Sequence, residues 1–95
     1  MNTYRVDFAP DQLRRDKDAP ARLMRDVRKV AKDVRKEAAS APRYVWKRRT
    51  DQSRGYWFQF DADLHRKPEV AKLLEPYGWR QSAPPVLPES EWKGL

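Results

Sequence analysis

Asp61-Ala62-Asp63-Leu64-His65 is the stretch of this 95-residue chain whose residue types best suit catalysis. On a strand, alternate side chains point the same way, so Asp61, Asp63 and His65 would offer two oxygens and a nitrogen to a divalent metal. Such an ion would activate water against a phosphodiester. The stretch falls, however, where a strand gives way to a helix, and Asp and His are ordinary residues of such a connection. Helix capping or simple solvation is the plainer role for all three. The chain has no Gly-rich phosphate loop, no serine-nucleophile signature and no HExxH. It has no Cys, hence neither a thiolate metal site nor a disulfide framework. No cofactor is implied, and the chain reads as a binding protein rather than an enzyme.

The second chemistry is that of cations beside an aromatic plane. The net charge is +7, and the whole excess lies between Ala21 and Phe60, with the flanking segments close to neutral. Charge gathered in this way favours a polyanionic partner. Arg43, Lys47, Arg49 and Arg54 are spaced to meet phosphates, and Trp57 among them offers a plane on which an unpaired base would stack. Arg28, Lys32 and Arg35 add a second basic surface. The expected function is therefore sequence-tolerant binding of nucleic acid, DNA and RNA being undistinguished. Trp, Tyr and Arg also dominate protein interface hot spots, so the same patch fits an acidic groove of a partner protein, and the chain would then be an inhibitor or adaptor. Two plainer readings stand beside these. Trp57 would be covered by the Pro84 to Pro88 segment or by a second copy of the chain, and the cations of a helix back would be a solvated face, since Lys and Arg are good helix formers.

The elements that must hold these residues follow from periodicity. Tyr4, Val6 and Phe8 alternate with Arg5 and Asp7, which predicts a strand with one buried face, closed by Pro10. Asp11 to Asp18 reads as a loop, with room for one helical turn around Leu13. Asp18 as cap and Pro20 in the first turn open a long helix. Leu23, Met24, Val27, Val30, Ala31, Val34 and Ala38 fall on one arc of about 120°, with Arg25, Arg28, Lys29, Lys32, Arg35 and Lys36 opposite. After Pro42, two aromatic-rich runs flank Asp51 to Gly55 and predict a β-hairpin. Tyr56, Phe58 and Phe60 share one face with Tyr44 and Trp46. Arg43, Val45, Lys47 and Arg49 share the other with Trp57. A shorter helix starts at Pro68 and presents Val70, Leu73 and Leu74, ending at Pro76 and Gly78. The prolines of Ser82 to Pro88 suit an extended or polyproline segment, leaving Trp79 to Gln81 or the region of Val86 for a short edge strand. In the stretch after it, Glu89 to Leu95, Trp92 is the one candidate anchor.

The expected fold is α+β: a small antiparallel sheet in the order β-α-β-β-α, with two helices on one face, resembling the split βαβ family. Its core is predicted to hold Tyr4, Val6, Phe8, Val27, Val30, Val34, Trp46, Phe58, Phe60, Leu73 and Leu74. The other sheet face is left open. The run Arg54-Gly55-Tyr56-Trp57-Phe58-Gln59-Phe60 resembles the third-strand signature of RNA recognition motif domains, in which the aromatics at Tyr56 and Phe58 would be exposed and stack on bases. Here Trp57 stands where that pattern has Gly or Ala, and Gln59 where it has an aliphatic residue. Exposing Tyr56 and Phe58 would also turn Gln59 and Asp61 into the core.

Length and composition set the frame. Residues 1–82 make one domain and residues 83–95 a Pro-rich extended tail. With 39% hydrophobic, 37% charged and 12% aromatic residues, the chain is lean but too aromatic for disorder. No apolar run approaches the roughly 18 residues of a membrane span, and MNTYRVDFAP lacks the features of a signal peptide. The expected location is the cytoplasm.

Overall fold

The computed structural model describes residues 1–37, 40–48 and 52–95. Strand β1, Asn2–Phe8, buries Tyr4, Val6 and Phe8 on one face. Pro10 ends it and opens the short helix α1, Pro10–Arg15, where proline costs no hydrogen bond because first-turn N–H groups have no helical partner. The Gln12 side chain accepts the Ala9 N–H at 2.8 Å and caps this turn. Helix α2, Ala19–Val34, then buries the predicted stripe Leu23, Met24, Val27, Val30, Ala31 and Val34. Asp18 stands at its N-cap, but no side-chain bond caps the helix there. Ala38 lies outside the described residues.

β2, Arg43–Arg48, and β3, Arg54–Phe60, form the expected hairpin. Tyr44 lies opposite Phe58 and Trp46 opposite Tyr56, while Val45 lies opposite Trp57. α3, Pro68–Leu74, follows a 3-10 turn at Leu64–Arg66, and Gly78 in the left-handed region (φ 66°) turns the chain after a further 3-10 turn at Glu75–Tyr77. Two short strands complete an antiparallel sheet, β4 at Arg80–Gln81 and β5 at Lys93–Gly94, in the order β4-β1-β3-β2-β5. The first four strands have the split βαβ arrangement, with β3 between β1 and β2. The fold is thus α+β, with α2 and α3 on one face.

Tyr4, Val6, Phe8, Tyr56, Phe58 and Phe60 form one apolar cluster with Leu23, Val27, Leu64, Val70 and Leu74. Phe8 meets Tyr56 edge-on at 5.9 Å, and Tyr56 stacks on Phe58 at 6.3 Å. The buried Tyr4 hydroxyl accepts the Leu64 N–H at 3.0 Å, so the first strand fixes the turn that launches α3. With Tyr56 and Phe58 buried against the helices, the exposure pattern of an RNA recognition motif is absent. Two expected core residues are outside it. Trp46 is 44% exposed, because β5 pairs only Arg43 and Tyr44 and leaves the rest of β2 as an outer edge. Leu73 is 36% exposed, because a seven-residue helix turns only Val70 and Leu74, four apart, fully inward.

The second sheet face, expected to be open, is crossed by the chain itself. The Ser82 N–H bonds the Thr3 carbonyl at 2.9 Å at one edge, and β5 pairs with β2 at the opposite edge. Four strand spacings, about 19 Å, separate the two edges. Residues 82–88, extended at about 3.1 Å each, reach about 22 Å, and a 3-10 turn at Glu89–Glu91 follows. Pro88 holds polyproline angles (φ −60°, ψ 146°), and Glu89 and Glu91 reach Arg43 and Lys47, which point to the face away from the helices. Prolines cannot extend a hydrogen-bonded ladder, so the segment lies across the sheet as a strap instead of joining it. Among the described residues, no helix is long and apolar enough to cross a membrane.

Candidate nucleic-acid interface

Trp57 is central on the outer face, and it is 8% exposed. The far edge of its indole lies over Gly55: a Cβ there would come within 2.8 Å of Trp57 Cη2, so this strand position needs a residue without a side chain. The Arg5 guanidinium sits 4.8 Å over the ring and pairs with Asp7 at 3.0 Å. Beside it, buried Gln59 donates to Thr3 Oγ1 at 3.3 Å and accepts from Arg43 Nε at 2.6 Å. The Arg43 guanidinium forms a two-point ion pair with Glu89 and lies 4.8 Å over the Trp92 ring. Its hydrogen bonds hold the Glu89 carboxyl below the ordinary carboxylate range. Lys47 Nζ lies 3.8 Å from Glu91. Arg43, Lys47 and Trp57 are therefore together, as the alternation predicts, but under the strap.

The remaining expected residues go elsewhere. Arg54 shares the helix-side face with Tyr56, and its guanidinium lies 5.5 Å over the Trp46 ring. Burial pushes the Tyr56 phenol up, against the opposing pull of the nearby Arg54 charge. Arg48 lies opposite Arg54, so Trp46, Arg48 and Arg54 form a cationic aromatic corner at the hairpin end. Arg49 is outside the described residues. Trp46, assigned by its pattern to the core, is thus the exposed indole that Trp57 is not. The signal lay in its place at the far end of an edge strand.

On α2, Arg28 and Lys32 are exposed as expected, in company with Lys29 and, in the turn just past the helix end, Lys36. At about 100° per residue Arg28, Lys29 and Lys32 fall within an arc of about 100° and span about 6 Å, and Lys36 continues the row past the helix end. None of the four pairs with an acid among the described residues, whereas Arg22 pairs with Asp16, Arg25 with Asp26, and Lys67 with Glu37. Arg35 donates to the Leu95 main-chain oxygen and so helps to fix the end of β5.

Asp61, Asp63 and His65 do not continue β3, which ends at Phe60. Asp63 accepts from Asn2 Nδ2 at 2.8 Å and lies 3.8 Å from Arg66, and His65 Nδ1 faces the Tyr4 hydroxyl at 3.0 Å. Among the described residues, no group of three His, Cys, Asp or Glu is placed to hold a metal.

Sequence reasoning did not foresee the cleft of about 620 Å³ between α1, the start of α2 and the turn at Gly78. Its arginines come from distant parts of the chain and follow no period. Arg22 and Arg80 pair across it with Asp16 and Asp7, and the nearby Tyr77 hydroxyl donates to Asp26 at 2.8 Å. Its charges thus largely satisfy one another. No protein-family model, curated protein or solved structure matches the chain.

Proposed function

We propose that this chain is a cytoplasmic, sequence-tolerant nucleic-acid-binding protein, not an enzyme, and that it binds from the helix side of the sheet. The observation that carries this reading is the row Arg28, Lys29 and Lys32 on α2 with Lys36 in the turn just past its end, exposed and without acidic partners among the described residues while most neighbouring cations are paired. Unpaired cations held along a helix meet phosphates at little rearrangement cost, and each phosphate neutralised releases counterions. The Trp46, Arg48 and Arg54 corner faces the same side of the sheet and supplies a plane for an unpaired base. Such contacts position a backbone without reading bases.

Titration of labelled single- and double-stranded DNA and RNA at rising salt tests this. Affinity should fall steeply with salt, and the Lys29→Ala, Lys32→Ala double variant should flatten the log–log slope by about 1.4 for single strands and about 1.8 for duplexes. Trp46→Ala should weaken single strands by about 1–3 kcal/mol and spare duplexes. Binding indifferent to salt and to both variants overturns the proposal. An acidic protein surface meets the same cations, and capture of one protein partner after nuclease treatment, without co-purifying nucleic acid, would favour that partner.

A further inference from the structure

We infer that the outer face of the sheet is a second, masked binding site for single-stranded nucleic acid, which the strand opens by taking the places of Glu89 and Glu91. The choice of nucleic acid as ligand rests on the reading above; the masking does not.

Beneath the strap lies the pattern that suits such a ligand: Trp57 over Gly55, with Arg5, Arg43 and Lys47 around it. Two of these cations are held by the strap's own carboxylates. Glu89 meets the Arg43 guanidinium at two points, which is the geometry in which Arg grips a phosphate, and Glu91 stands before Lys47. The strap therefore supplies anions where a backbone would.

Its hold is light. The two carboxylate side chains are 79% and 42% exposed, so water and salt screen the pairs they make. Among the described residues, no main-chain hydrogen bond joins 83–92 to the sheet; the bonds there, Glu91 N–H to Pro88 and Trp92 N–H to Glu89, are internal to the strap. Val86 at its middle is fully exposed. Beyond it, β5 is two residues long. Both ends are tied, Ser82 to β1 and β5 to β2 with the Leu95 N–H on the Pro42 carbonyl, so the stretch between them lifts off the face without leaving the molecule. A ligand with several phosphates has more to offer Arg5, Arg43 and Lys47 together than two screened carboxylates, and its bases gain the Trp57 plane. A duplex, whose bases are already stacked, gains only the charge.

The test uses the full chain carrying Glu89→Lys with Glu91→Lys, against a control carrying Glu69→Lys with Glu75→Lys. The control makes the same charge change at exposed positions on and just after α3. With retention of the fold read from β1 and β3 amide signals, fluorescence anisotropy follows a labelled oligothymidine, its duplex and poly-glutamate. The unlatched protein should bind the oligothymidine about tenfold more tightly than the control, since the competent state no longer waits on strap release. The duplex should gain less, and the Trp57 indole signal should shift on addition of the single strand only in the unlatched protein. Equal affinity in the two variants overturns the inference, and the helix-side reading survives if the Lys29 and Lys32 variant still weakens binding. A gain in the unlatched protein that ignores that variant leaves the masked site standing and removes the helix. Poly-glutamate bound as tightly as the strand overturns nucleic acid as the occupant, and no binding to any variant overturns both.

Discussion

On the helix side of β3, Phe58 and Phe60 press into a cluster built from α2, α3 and the Leu64 turn, all of it apolar. On the strap side of the same strand, Trp57 and Gln59 are nearly as buried, yet their neighbours are Arg5, Arg43, Thr3 and a segment pinned by ion pairs. Equal burial thus has two different foundations. Apolar area removed from water holds the first cover, and it resists opening because each part supports the others. The second rests on polar contacts that water can replace one at a time.

Substitution separates the two covers. Phe58→Ala should cost about 4 kcal/mol in urea or thermal unfolding, as large-to-small changes in a rigid core do. Trp57→Ala should cost less, about 3 kcal/mol, because the strap settles into part of the vacated space. A loss at Trp57 equal to or above that at Phe58 would erase the distinction. Gly55→Ala should follow at about 2 kcal/mol, the added methyl meeting the Trp57 ring at 2.8 Å. Trp46→Ala, at an exposed edge, should change stability by no more than about 0.5 kcal/mol.

The smallest effect on global stability concerns acid. Arg43 lowers the folded-state pKa of Glu89, so the pairing contributes in full above the unfolded carboxylate value of about 4.3 and is lost as pH falls through the lowered folded value. Acidification should therefore speed exchange of the β5 amides and change indole emission before the core unfolds. If β5 and β3 lose protection together, the strap is part of the core after all.

How much of this was legible in the sequence depended on whether neighbours along the chain or neighbours in space decided the outcome. The alternation in β1, β2 and β3 correctly sorted Tyr44, Trp46, Tyr56 and Phe58 to one face and Arg43, Val45, Lys47 and Trp57 to the other, and the α2 stripe was plain, because strand and helix periods are local properties. Which face lies bare was not local. Trp46 and Trp57 exchanged exposures because residues 83–95 return to cover one sheet face and stop pairing after two residues at the β2 edge. Prolines declare an extended path but not its direction. For the same reason Arg43 and Lys47, spaced for phosphates, face glutamates more than forty residues away, a pairing that no spacing rule encodes.

The strap also sets an order on synthesis. β1 to β4 are complete in the chain by residue 82, yet the cover for Trp57 and the partners of Arg43 and Lys47 are encoded after them. A chain whose first four strands have folded before Glu89 and Glu91 reach the sheet therefore presents a basic face with an uncovered indole.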